Sequence, residues 1–527
     1  MDLSFSCILD QFPDQTIHTV RGAHRLWTSG ISAQRRSTNK SSKDVENVNA
    51  IQDMGAREMT EAIKRRELSA REALESHIEQ IERVNGPINA VVTTDFDRAR
   101  ELAAKADEAT AQGKSTGLLH GLPMTHKDTF NTAGLLTTQG SLALKDNIPQ
   151  TDDLQIARLA AAGAIRTGKT NVPEFGAGSH TFNEVFGTTT NPYDTALSAG
   201  GSSGGVAAVI AARIQPLGEG SDMGGSLRIP ASFCNVVGFR PSYGVIPMPA
   251  PTDAWSWLAR SGPMARTVDD IALFMEATAG DSDRVLTPNT LSGRDFAQLE
   301  PNALRGIRIG YSRDFGMGVP VEPAVLEVLD AQIAVFEQAG AHVEEACIDL
   351  RDADLVFGNT RAYDFAAMLG DLVRSRREII KPEVIWNVEK GWALNAEDLI
   401  ATTAARTRLE IAVQKFFATF DLFLSPAAQV LPFDASWRYP QGIAGVPATT
   451  YLDWMRSACL ISGTSLPALS IPAGFTADGL PVGLQMTANH YKDVELLGYA
   501  RDFEQRTSFA ERAPQWVAAG LKGQEIQ

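Results

Sequence analysis

Apolar residues along this chain alternate between helical spacing and short strand-like runs, and that alternation restricts it to folds in which helices cover a sheet. Ser69 and Glu72 form an S-x-x-E capping box, and Leu74, Ile78, Ile81 and Val84 follow at helical spacing, with Gly86 as the expected stop. The pattern predicts a strand over 88–92, a helix over 96–112, a second helix over 152–162 ending at Gly163, and a strand over 164–169. Further on, 307–311, the helical set Leu326/Leu329/Ile333/Phe336 and 343–348 make a βαβ-like unit, and strand candidates return at 422–424, 468–471 and 482–486. The expected fold is α/β, one large domain over 51–527. Its mixed central sheet is covered by helices on both faces, and the C-terminal strands rejoin that sheet.

Residues 1–50 do not share this pattern. They carry Arg21, Arg25, Arg35, Arg36, Lys40 and Lys43 with a Ser-rich stretch and no apolar h-region, so a poorly ordered leader or an overextended start is expected rather than a secretory signal. No run approaches the ~18 apolar residues of a membrane span. Forty-eight basic against 63 acidic residues leave a net charge of −15, which argues against nucleic acid or an anionic membrane as a partner. Cys7, Cys234, Cys347 and Cys459 are dispersed, and the eight histidines include no HExxH, so neither a disulfide framework nor a metal site is expected. A cytoplasmic location and a monomer or homodimer fit these features.

From Ala199 to Gly225 the chain becomes Gly- and Ser-rich around a short helix expected near 203–213, and a second helix is expected from about Ser226 to before Val236. Two familiar patterns fit the neighbourhood poorly. Gly163-Ala-Ile-Arg-Thr-Gly168-Lys169-Thr170 matches the phosphate-cradling P-loop, which needs a strand before its first glycine and a helix at its lysine; here the order is reversed. Gly201-Ser202-Ser203-Gly204-Gly205 matches the G-x-S-x-G elbow of an α/β-hydrolase esterase, with Ser203 as nucleophile and His490 as partner. Yet 191–198 makes a poor hydrophobic strand to carry that elbow.

A third reading accounts for more residues. Gly200-Gly-Ser-Ser-Gly-Gly205 is followed by Ser221-Asp-Met-Gly-Gly-Ser226-Leu-Arg228 and preceded by Gly121-Leu-Pro-Met-Thr-His-Lys127-Asp128. Together these resemble the amidase signature family, and further motifs at 168–175, 186–192, 262–267, 466–472 and 479–485 extend the likeness from about residue 55 to the C-terminus. The resemblance implies a Ser-Ser-Lys triad: Ser226 as nucleophile, Ser202 as bridging serine and Lys127 as base, with a cis peptide between Gly201 and Ser202. Met223 and Leu227 depart from the residues usual at those positions, and bear on pocket shape.

The implied chemistry is coherent. A serine hydroxyl needs a base within hydrogen-bond reach, and a lysine serves only when burial or a nearby positive field keeps it neutral. The backbone N–H groups of Met223, Gly224, Gly225 and Ser226 would form an oxyanion hole, with Gly201, Ser203 and Arg228 in support. Trp255 and Trp257 are candidates for the substrate pocket. The expected activity is a cofactor-independent hydrolysis of small aryl or alkyl amides, with carbamates and esters open to the same machinery. The rival within the family is the A subunit of a glutamine-dependent tRNA amidotransferase, where S-I-R-Q-P is typical; here the run is Ser226-Leu-Arg-Ile-Pro230.

Overall fold

The computed structural model describes residues 51–114, 117–249, 252–286 and 291–520, all within one compact unit, 45–527. The expectation for residues 1–50 lies outside the described residues. Two sheets organise the chain. The smaller comprises β1 (Val91–Thr94), β2 (Pro123–Lys127) and β3 (Ile165–Thr170) in the order β1-β3-β2. The larger has eight strands: β4 (Leu217–Asp222), β5 (Val237–Arg240), β6 (Arg260–Ala265), β7 (Arg308–Tyr311), β8 (His342–Glu345), β9 (Leu422–Pro426), β10 (Ala468–Phe475) and β11 (Pro481–Thr487). Their order is β8-β7-β9-β11-β10-β5-β6-β4. The β7/β8 and β7/β9 pairs are parallel, and those from β9 to β4 are antiparallel, so the sheet is mixed as expected.

Period-two alternation places successive side chains on opposite faces. On β9, Leu422 and Leu424 enter one apolar cluster while Phe423 enters the other; Ala468 and Leu469 of β10 divide likewise. Helices Val268–Thr278, Pro323–Gln338 and Asp493–Thr507 close the first cluster. Helices Gly204–Ala211, Arg228–Phe233, Ala396–Phe417 and Arg456–Gly463 close the second. Each large apolar side chain buried there contributes roughly 1.5–3 kcal/mol.

The Ser69–Glu72 capping box is present, with Ser69 Oγ accepting from Glu72 N at 3.1 Å and Glu72 Oε2 from Ser69 N at 2.8 Å. That helix passes through Gly86 and ends instead at Asn89, in the left-handed region at φ 47°. The Asn85 side chain accepts from Ala90 N and Val91 N, so the turn is fixed by asparagines rather than by the glycine.

Candidate active site

The site lies where the two sheets meet edge to edge. β2 is the last strand of the small sheet and β4 the last of the large one, and no ladder joins them. Side chains of the second edge satisfy the first. Gln215 Oε1 accepts from Thr125 N at 2.9 Å and from Thr125 Oγ1 at 2.7 Å. Glu219 Oε1 accepts from Lys127 N at 2.7 Å, and Glu219 Oε2 lies 3.1 Å from His126 Nδ1. Bridging of this kind gives buried edge N–H groups the partners that a neighbouring strand would otherwise supply.

Lys127 ends β2 and is fully buried. Its Nζ stands 2.9 Å from each of three hydroxyl oxygens, those of Ser202, Ser203 and Ser221. Burial drives its pKa from the ordinary lysine value down to about 7, against the opposing pull of Asp222 and Glu219. The Gly201–Ser202 peptide is cis. Helix Gly204–Ala211 begins immediately after these serines, and Gly205 comes so close to the backbone of Asn171 that a Cβ would lie 2.6 Å from its N and O. Ser203 N donates to the carbonyl of Ser226 at 3.2 Å, which holds the two serine-bearing segments together.

Asp222 organises the second segment. It is fully buried and accepts from Gly225 N (2.8 Å), Leu227 N (3.1 Å), and Arg228 Nε and Nη2 (3.0 Å each). Arg240 donates to its carbonyl oxygen at 2.5 Å. Burial alone would raise the carboxyl, but Arg228 and Arg240 outweigh it and hold Asp222 well below the usual carboxylate range. Arg228 also reaches Gln485 Oε1 (2.6 Å), Ser462 Oγ (2.7 Å) and the Ala458 carbonyl (3.1 Å), tying the loop to β11 and helix Arg456–Gly463.

Two expectations change here. Gly225, at φ +102°, turns its N–H inward to Asp222, so that donor is consumed; the N–H groups of Met223, Gly224 and Ser226 have no partner among the described residues. The helix begins at Arg228 rather than Ser226, with Leu227 as its N-cap, so the loop rather than a helix terminus aims the free donors. Ser226 itself is buried but for 6% of its surface.

Trp255 is 70% exposed, and Trp257 is packed in the large apolar cluster beneath the Arg406 guanidinium, 3.8 Å from its ring centroid. Phe357, Cys459 and Arg361 meet the Met223–Gly224 segment, and Met223 also packs against the small cluster that includes Phe365 and Val384. The esterase pairing fails. His490 Nε2 is bound to Glu410 at 2.9 Å, whereas Ser203 is fully buried against Lys127. In the P-loop pattern, Lys169 lies inside β3 and donates to Phe130 O (2.5 Å) and Thr132 Oγ1 (2.9 Å), with no free loop to cradle a phosphate.

The family model for Amidase matches residues 72–497. The chain belongs to the amidase signature family. The "Acylamidase" of Rhodococcus erythropolis is 33% identical over 465 residues, which span 88% of this chain and 97% of that protein. The A subunit of the glutamyl-tRNA(Gln) amidotransferase of Moorella thermoacetica is 34% identical over 484 residues, 87% of this chain and 98% of that one. Among solved structures, a bacterial aryl acylamidase of the amidase signature family superposes with a TM-score of 0.81 at 28% identity, covering 90% of this chain and 99% of the other. As a member, this chain is a hydrolase acting on C–N bonds. No helix among the described residues is long and apolar enough to cross a membrane.

Proposed function

We propose that this amidase signature protein is a stand-alone amide hydrolase in which Ser226 attacks the carbonyl, Ser202 relays the proton and Lys127 accepts it. The observation that carries the reading is the 2.9 Å approach of a buried lysine, poised near neutrality, to Ser202 Oγ. A neutral amine has two N–H donors and one lone pair, and three hydroxyls surround Nζ. Ser203 Oγ sends its own proton to the Ser221 carbonyl at 3.4 Å, so it accepts from the lysine. In this scheme Ser221 takes the second donor and the lone pair receives the Ser202 proton. Ser202 is then an acceptor for the Ser226 proton, the orientation a relay requires.

In the forward step the Ser226 oxygen bonds to the carbonyl carbon, and its proton passes to Ser202 as the Ser202 proton passes to Lys127. The developing oxyanion is met by the free N–H groups of Met223, Gly224 and Ser226. The ammonium then returns its proton through Ser202 to the departing nitrogen. Water repeats the cycle on the acyl-enzyme and regenerates Ser226. Carbamates and esters present the same carbonyl and are further substrates in this scheme.

The amidotransferase role is the second reading, favoured by the 34% identity to the Moorella protein. Ile229 stands where that branch typically carries glutamine, which supports the stand-alone enzyme. The test is turnover by the isolated chain, without partner proteins or ATP, on a panel of anilides, primary amides, carbamates and esters, with Ser226→Ala as control. Hydrolysis confined to glutamine, or appearing only with partner proteins, would shift the assignment to the second reading.

A further inference from the structure

Helix Ala353–Arg376 presents Phe357, Arg361 and Phe365 at spacings of four, hence along one face. Phe357 abuts the oxyanion segment, since a Cβ on Gly224 would lie 2.8 Å from its Cζ. One turn on, Arg361 is only 3% exposed, and its Nη1 reaches Met223 Sδ at 3.1 Å. Its Nε donates to Asn387 Oδ1 at 3.1 Å and its Nη2 to Tyr451 Oη at 2.9 Å, and its guanidinium stacks over Phe365 at 4.4 Å. Every one of these partners is neutral. Among the described residues no carboxylate forms an ion pair with Arg361.

A buried guanidinium without a counterion is unusual, because desolvating a charge is costly unless it is paired. The donor count sharpens the point. Arginine carries five N–H groups and three are used. Tyr451 Oη accepts from both Arg361 and Asn387 Nδ2 (2.6 Å), so its lone pairs are taken and its own proton has no acceptor among the described residues. Two N–H groups and one O–H therefore remain beside the segment that supplies the oxyanion donors. Asp364, on the same helix, accepts from Ser256 Oγ at 3.4 Å and makes no hydrogen bond to Arg361; burial and Asp253 push its pKa up to about 7, and the Arg361 charge offsets that rise only in part.

We infer that Arg361 and Tyr451 form an anion subsite, and that the substrate carries a carboxylate elsewhere on the molecule in addition to its scissile amide. The inference rests on the amide-hydrolase reading of Ser226. A carboxylate offers the acceptors that this donor-rich cluster lacks, in the planar geometry a guanidinium fork fits.

The test compares two matched pairs: glutaryl against valeryl p-nitroanilide, with the carboxylate on the acyl half, and 4-acetamidobenzoate against acetanilide, with it on the amine half. In at least one pair the carboxylated member should be favoured in kcat/KM by about tenfold or more, mainly through KM. Arg361→Met should erase that preference, and Arg361→Lys should keep part of it. No preference in either pair, or an equal loss on both members, overturns the subsite. Calorimetry on Ser226→Ala provides a readout without turnover: the favoured carboxylate should bind saturably, and the Arg361→Met change should abolish that binding. Absent binding also overturns the subsite. Arg361-dependent binding, with no Ser226-dependent turnover of any amide, would leave the subsite standing and remove the hydrolase reading instead.

Discussion

Asp222→Asn is the substitution that most directly tests how the site is held together. The change keeps the side chain's shape and replaces one oxygen by an NH2 group. Whichever oxygen is lost, two donors face a donor: Leu227 N–H and Arg228 Nε at Oδ2, or Gly225 N–H and Arg228 Nη2 at Oδ1. Arg228 and Arg240, both fully buried, then lose the anion they share. Breaking a buried ion pair by removing one partner costs about 3–5 kcal/mol, and each unsatisfied buried donor about 1–3 kcal/mol, part of the same loss rather than an addition to it. The expected destabilisation is about 3–5 kcal/mol, read as a lower urea midpoint at unchanged m.

The same change has a second signature. Asp222 favours the ammonium of Lys127, so removing its charge should lower the Lys127 pKa further below about 7. The acid limb of the kcat/KM profile should then move to lower pH, even as the rate falls because the Met223–Ser226 loop loses its anchor. A stability loss under about 1 kcal/mol would refute the network argument. An acid limb that stays in place would refute the electrostatic coupling to Lys127.

In the unaltered protein the base is competent only when neutral, so kcat/KM should rise with pH through about 7 and fall about tenfold per unit below it; a profile flat from about pH 5 to 8 would contradict this. Ser226→Ala should abolish hydrolysis with a stability change within about 1 kcal/mol, checked by residual turnover and thermal midpoint. Lys127→Ala should depress amide turnover more than that of a matched activated ester, because only the amine needs a returned proton; equal losses would make Lys127 structural. Gly224→Ala places a Cβ 2.8 Å from Phe357 Cζ and 3.2 Å from Cys459 Sγ, and the overpacking should cost about 1–3 kcal/mol and misaim the oxyanion donors, lowering kcat more than it raises KM.

The elements legible in the sequence were those whose apolar period is strong. The capping box, β7, helix Pro323–Gln338 and the C-terminal strands fall where their patterns place them, whereas β8 ends at Glu345, short of the 343–348 expected. β4 was not legible. Its sequence, Leu-Gly-Glu-Gly-Ser-Asp, has one large apolar residue, and its burial is sustained by hydrogen bonds and ion pairs that no local pattern announces. Glu219 went unremarked, and Ser221 and Asp222 stood only as part of their motif without a role, since Glu219 and Ser221 meet Lys127 on another strand and Asp222 holds backbone and arginine donors of the loop and helix that follow it. Arg361 carries no motif; its only signal is its burial, which the tertiary structure alone supplies.

In the role proposed for it Lys127 must be neutral at rest, yet it sits between two acids, and the fold reconciles these facts by engaging the acids elsewhere. Glu219 spends its oxygens on the Lys127 backbone N–H and on His126, and Asp222 spends its on two backbone donors and on Arg228. Neither carboxylate directs its field to Nζ alone; Arg228 and Arg240 stand beside Asp222 with the opposite charge. Desolvation of the β2 terminus can then prevail over attraction, which is the direction the Lys127 pKa takes. On the proposed reading the arginines act on Lys127 only through Asp222, and the edge-to-edge meeting of two sheets brings both acids up to the lysine.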